Sequence, residues 1–116
     1  PQAEFSPATA VRIAREYLAE CNHSALIEIE VDTLEQLESV LPERPDIVLL
    51  DNMTASELRE AIALRNKVAV DVEFDASGGI TLDNVREIAL TGVERISIGA
   101  LTHAARWVDI GLDWLD

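Results

Sequence analysis

Ile27-Glu28-Ile29-Glu30-Val31-Asp32 alternates apolar and acidic residues, and Ile47-Val48-Leu49-Leu50-Asp51-Asn52 follows it as a short apolar run ending in a carboxylate. Strict alternation is the pattern of a strand with one buried face, and a short continuous apolar run that of a strand buried on both. A helix-start signal comes directly after each. Thr33-Leu34-Glu35-Gln36 and Thr54-Ala55-Ser56-Glu57 both read as capping boxes. Strand, carboxylate and capped helix, repeated, is a parallel βα pattern, and this reading decides the fold class as α/β. The carboxyl ends of such strands, facing helix N-termini, are where α/β folds place their chemistry.

The rest of the chain extends the repeat. Ser6-Pro7 is an N-cap followed by proline at the first helical position, and Val11, Ala14 and Leu18 give the helix after it an apolar stripe. Leu34, Leu37, Val40 and Leu41 form the stripe of the next helix, and Leu58, Ala61 and Ile62 that of the third. Val68 to Asp75 alternates as a further strand, with Asp71, Glu73 and Asp75 on one side. Gly78-Gly79 breaks it, and Thr81 is expected to cap a helix whose Val85, Ile88 and Ala89 face inward. Gly92 suits the left-handed C′ position of that helix. Arg95 to Gly99 is a last strand, followed by a short helix from Leu101 and a closing segment over Val108 to Leu115.

Strand–helix units beginning near residues 26, 47, 68 and 95 predict about four parallel strands. Two arrangements fit: an open doubly wound sheet, or part of an α/β barrel. Length favours the open sheet, since a complete barrel takes about 250 residues. The acidic pattern favours the barrel, because Glu28, Glu30 and Asp32, like Asp71, Glu73 and Asp75, share one face of a strand. Between sheet and helices those carboxylates would be prohibitive without partners; near the mouth of a lumen, or on the wet face of an edge strand, they are tolerable.

Composition narrows the function. The chain has 116 residues, 48% of them apolar, and a net charge of −13 from 22 acidic and nine basic residues. That is one globular domain at most, without the ~18-residue apolar run of a membrane span. Nothing in Pro1-Gln2-Ala3-Glu4-Phe5 argues for secretion, so a cytoplasmic protein is expected, and the missing initiator Met suggests a processed or excised piece. Nucleic acid is excluded as a main partner, because no concentrated basic face exists. The lone Cys21 excludes an internal disulfide and a cysteine-based zinc cluster, and reads as a small buried hydrophobe or an inert thiol. His23 reads as a loop residue.

Glu30 and Asp51, at the ends of consecutive strands, are candidate catalytic groups. Converging carboxylates can hold Mg²⁺, stabilise a developing cation or do acid–base work. Acidic strand ends are also common without any chemistry. Ala76-Ser77-Gly78-Gly79 and Ile96-Ser97-Ile98-Gly99-Ala100 place small residues ahead of helix starts in adjacent units, which suits backbone binding of a phosphate, with His103 within reach. The bland alternative is a pair of tight turns that need glycine.

Glu28-Ile29-Glu30-Val31-Asp32, Leu49-Leu50-Asp51-Asn52, Ala76-Ser77-Gly78-Gly79-Ile80, Thr91-Gly92-Val93 and Ile98-Gly99-Ala100-Leu101-Thr102-His103, in this order and spacing, resemble the carboxyl-terminal part of quinolinate phosphoribosyltransferase. The resemblance runs from about residue 26 to the end, and more loosely over the leading helix. It implies an enzyme of NAD biosynthesis joining quinolinate to phosphoribosyl diphosphate with Mg²⁺, yielding nicotinate mononucleotide, CO₂ and diphosphate. It implies that Glu30 and Asp51 are the acidic pair near ribose and hydrated metal, that Ser77, Gly78 and Gly99 donate to the 5′-phosphate, and that His103 lies beside it. It also implies that residues 1–116 are the carboxyl-terminal barrel portion, with the amino-terminal domain, the first barrel strands and their Arg, Lys and His cluster elsewhere. Such a piece is expected to be inert alone. Two features depart from the family's usual pattern: Asp75 replaces a glutamate, and Glu73 replaces an apolar residue. A part-barrel exposes strand edges, so a homodimer or higher homo-oligomer is expected. A non-catalytic βα assembly domain and a phosphoribosyltransferase with another acceptor remain alternatives.

Overall fold

The structure, a computed structural model, describes residues 6–22 and 24–98. Helix α1 (Pro7–Glu20) precedes β1 (Glu28–Val31), α2 (Leu34–Val40), a 3₁₀ turn (Leu41–Glu43), β2 (Ile47–Asp51), α3 (Ala55–Val68), β3 (Glu73–Ser77), α4 (Val85–Ala89) and β4 (Arg95–Ile96). The helix starts follow local chemistry. Ser6 accepts from the Thr9 N–H with Pro7 next to it, and the Thr54–Glu57 capping box is complete in both directions. At α2, Thr33 accepts from the Gln36 N–H, but the Gln36 side chain closes onto the Asp32 N–H rather than that of the cap.

All strands pair in parallel in the order β1-β2-β3-β4. Right-handed crossovers repeated in one direction put every connecting helix on the same face. A doubly wound sheet would instead reverse its order and cover both faces. The order here is that of a barrel segment, and these strands do not close on themselves.

The two faces differ accordingly. Val31, Val48, Leu50, Phe74 and Ala76 pack against Leu37, Val40, Leu58, Ala61 and Ile88 of the helices. The other face carries Glu28, Glu30, Leu49, Asp51, Glu73, Asp75, Ser77 and Arg95, because in-register residues of parallel strands point the same way. Glu73 is matched on that face by Arg95, 3.0 Å from its carboxylate. Ser97 donates to Asp75 at 3.2 Å.

Several expectations are corrected. Val68 and Val70 belong to no strand: α3 runs to Val68, and β3 begins only at Glu73. The period of two arises by accident across a helix end, a turn and a strand start, and it leaves Val70 64% exposed. Asp71 therefore lies in the turn before β3 and not in the strand. Thr81 does not cap α4. Its hydroxyl accepts from the Asp83 N–H and its carbonyl from Val85, forming a turn that delays the helix to Val85 behind Asn84. Ala89 is exposed rather than inward. Gly92 has the expected positive φ of 101°, one position beyond C′, since Leu90 is the C-cap. Cys21 is exposed. The helix expected from Leu101, the segment Val108 to Leu115 and His23 lie outside the described residues.

Among the described residues, one cation is buried. Arg65, 6% exposed, donates to both Glu94 carboxylate oxygens at 2.8 and 3.0 Å and to the Val72 carbonyl at 3.0 Å. Its guanidinium lies 4.8 Å from the centre of the Phe74 ring. Glu94 also accepts from the Phe74 N–H at 2.8 Å. The cluster ties α3 to the starts of β3 and β4, at the end of the sheet away from the candidate site.

Candidate active site

β1 and β2 deliver Glu30 and Asp51 to the open face near their carboxyl ends. The two carboxyls lie near enough to interact, and the Glu30 pKa is raised above its ordinary 4.5. Partial desolvation is the first cause, although the side chain remains open to water. Repulsion by Asp51 and the Asp32 charge add to it. Like charges held together in this way suit a group that supplies positive charge.

Ser77 is the register partner of Asp51, so β3 ends beside the acidic pair. Gly78 and Gly79 continue at φ 79° and 72°, a region that L side chains rarely adopt. Neither of their N–H groups donates to another described residue, which leaves both available to an anion. The space for a side chain is also missing. A β-carbon on Gly78 would lie 2.5 Å from Asp51 Oδ1 and 2.9 Å from the Asn52 nitrogen, and one on Gly79 would lie 2.8 Å from Asn52 Oδ1. Glu30, Asp51, Ser77 and Gly78 thus stand together; Gly99 and His103 lie outside the described residues.

Sequence reasoning passed over Asn52, whose φ of 60° turns the chain out of β2. The signal was available, because asparagine after a strand-end carboxylate tolerates the left-handed region. It also passed over Arg65, and over Asp46, whose carboxylate accepts from the Ile27 N–H at 2.7 Å.

Residues 5–113 match the family model described as the carboxyl-terminal domain of quinolinate phosphoribosyl transferase. The chain belongs to this family. Among curated members, the nicotinate-nucleotide pyrophosphorylase (carboxylating) of Mycobacterium leprae is 45% identical over 74% of this chain and 30% of its own length. The probable enzyme of that name from Methanocaldococcus jannaschii is 39% identical over 90% of this chain and 37% of its own. The solved nicotinate-nucleotide pyrophosphorylase of Francisella tularensis superposes with a TM-score of 0.73 at 30% identity, over 90% of this chain and 36% of that one. As a member of the quinolinate phosphoribosyltransferase family, the chain spans about a third of the length of these relatives.

Proposed function

We propose that this chain is the acidic, phosphate-holding portion of an enzyme that converts quinolinate and phosphoribosyl diphosphate to nicotinate mononucleotide, CO₂ and diphosphate. The observation that carries the reading is the placement of Glu30 and Asp51 at the carboxyl ends of paired strands, with Asp51 beside Ser77 and Gly78. In the transfer, the ring nitrogen of the acceptor bonds to the anomeric carbon as the bond to diphosphate breaks, and the ring loses CO₂, a proton from solvent taking up the electron pair left on the ring carbon. Positive charge develops on the ribose before the new bond is complete. Glu30 and Asp51 would face that charge as fixed anions, a stabilisation needing no rearrangement at the moment of reaction. Ser77, Gly78, Gly99 and His103 would hold the 5′-phosphate, so that the anomeric carbon lies over the carboxylates.

The same pair fits hydrated Mg²⁺, which prefers oxygen donors and is held by few carboxylates while keeping several waters. No group of three or more potential ligands occurs among the described residues, so a water-rich ion suits the site better than a fully caged one. When bound, the ion would neutralise the diphosphate as it leaves. The cations for diphosphate and the acceptor carboxylates would come from the family's further portions. Here Arg12, Arg65 and Arg95 are paired with carboxylates, and Arg15 and Arg44 donate to backbone carbonyls.

Asp51→Asn in the native polypeptide carrying this chain is expected to lower turnover with Mg²⁺ by ~10²-fold or more while leaving the circular dichroism unchanged. Unchanged turnover would remove Asp51 from the mechanism, and no activity in the unaltered protein would favour the assembly-domain reading. β1 and β4 are the outer strands of the described sheet, which supports a homo-oligomer as the working form, testable by sedimentation. A cytoplasmic site of action fits the same reading. No helix among the described residues is long and apolar enough to cross a membrane.

A further inference from the structure

Asn52 has no part in the scheme above, yet it touches both halves of the site. It stands between the Asp51 carboxylate and the start of α3 at φ 60°, one of few non-glycine residues in the left-handed region. Its N–H donates to the Ser77 carbonyl at 2.7 Å. The Gly78 α-carbon lies against the Asp51–Asn52 backbone so closely that a β-carbon there would sit 2.9 Å from the Asn52 nitrogen and 3.3 Å from its α-carbon. Beyond it, the Asn52 side-chain oxygen occupies the place a β-carbon on Gly79 would need, 2.8 Å away. Asn52, Gly78 and Gly79 together line one wall of a cavity of about 240 Å³.

The backbone requirement does not explain the residue type. Glycine would adopt the same φ without strain and would keep the N–H to Ser77. Asparagine adds a short amide laid across Gly79, where it limits the conformations of a turn that carries two consecutive glycines. Free glycines have the most backbone freedom to lose when a ligand fixes them. Holding the turn beforehand removes part of that loss from binding.

We propose that Asn52 is a positioning residue that presets the Ser77–Gly79 turn for the 5′-phosphate and locks it to the Asp51 carboxylate. The inference rests on the phosphate reading of that turn given above. Asn52 touches no reacting atom in this scheme, so its loss should weaken phosphate capture more than it slows chemistry.

The test uses the native polypeptide carrying this chain, with ribose 5-phosphate as the binding probe. In Asn52→Gly, left-handed φ and N–H are kept and only the amide is lost. Affinity for ribose 5-phosphate is expected to fall about five- to tenfold, a gain in turn freedom of the size of one backbone residue or less. KM for phosphoribosyl diphosphate should rise by the same factor, with kcat within about twofold and the melting temperature close to wild type. In Asn52→Ala, which also loses the amide, the melting temperature should fall as well, because alanine is strained at a left-handed φ. Wild-type affinity and KM in Asn52→Gly would overturn the positioning role, as would a loss confined to kcat. Failure of the unaltered protein to bind ribose 5-phosphate would overturn the phosphate reading itself, and the inference with it.

Discussion

Gly78→Ala should destabilise the fold and displace the Asp51 carboxylate, and the size of each effect follows from the geometry. At φ 79°, an alanine incurs a left-handed strain of about 1–2 kcal/mol. Its methyl would also meet Asp51 Oδ1 at 2.5 Å and the Asn52 nitrogen at 2.9 Å. The carboxylate can swing aside, but the backbone nitrogen cannot, because its N–H is bonded to Ser77 at 2.7 Å. Overpacking of this kind costs about 1–3 kcal/mol, so the total is about 2–5 kcal/mol. Gly92→Ala provides the control. Its φ of 101° carries similar strain, but the nearest atom, Ile62 Cδ1, lies 3.5 Å from the added carbon, an ordinary contact. Urea unfolding followed by circular dichroism should therefore rank Gly78→Ala below Gly92→Ala by at least about 1 kcal/mol. Equal losses would refute the steric argument, and a wild-type Gly78→Ala would refute the geometry of the turn.

Glu30 should titrate above 4.5, and carboxyl NMR of the folded chain can follow it. A raised acid pKa means that the folded state holds the proton more tightly than the unfolded chain. Glu30's contribution to stability is then full below 4.5 and is lost as pH rises through the folded value. Asp51→Asn should move the midpoint part of the way back, and an unmoved midpoint would leave desolvation and the Asp32 charge as the causes. Glu94→Ala strands the buried Arg65 guanidinium; a loss of about 2–3 kcal/mol in urea unfolding is expected, below the range for sealed pairs because the Glu94 side chain is 37% exposed. A loss under about 0.5 kcal/mol would show that water replaces the carboxylate freely. Thr54→Ala removes the cap of α3 and should cost about 1 kcal/mol. A melting temperature equal to wild type would show that packing of Leu58 and Ala61 alone starts that helix.

Elements announced by local chemistry were legible in advance. Ser6-Pro7 and the Thr54–Glu57 box act within a single turn, so the starts of α1 and α3 needed no tertiary information. The end of α3 was not legible, because Val68, Val70 and Val72 mimic a strand while the chain actually leaves a helix there. The start of α4 was missed for a related reason. Thr81 has the chemistry of a cap, but the Asn84 side chain, bonded to the Thr81 N–H and the Gly79 carbonyl, keeps the chain in a turn to Val85. Glu73 illustrates a longer-range failure: its charge stood out in the sequence, and its partner Arg95 comes from the next strand.

What the sequence determined by itself was the alternation of strands and helices, the acidic strand ends and the small residues after β3, because each is set by side chains within a few positions of one another. Tertiary structure decided which sheet face stays open, since that depends on the unreversed strand order and the common hand of its crossovers. It also decided that the Glu30 and Asp51 carboxyls lie near enough to interact, and that Gly78 and Gly79 must lack side chains because Asp51 and Asn52 occupy the space. Those contacts join different βα units, and only the pairing of β1 with β2 and of β2 with β3 brings them within reach.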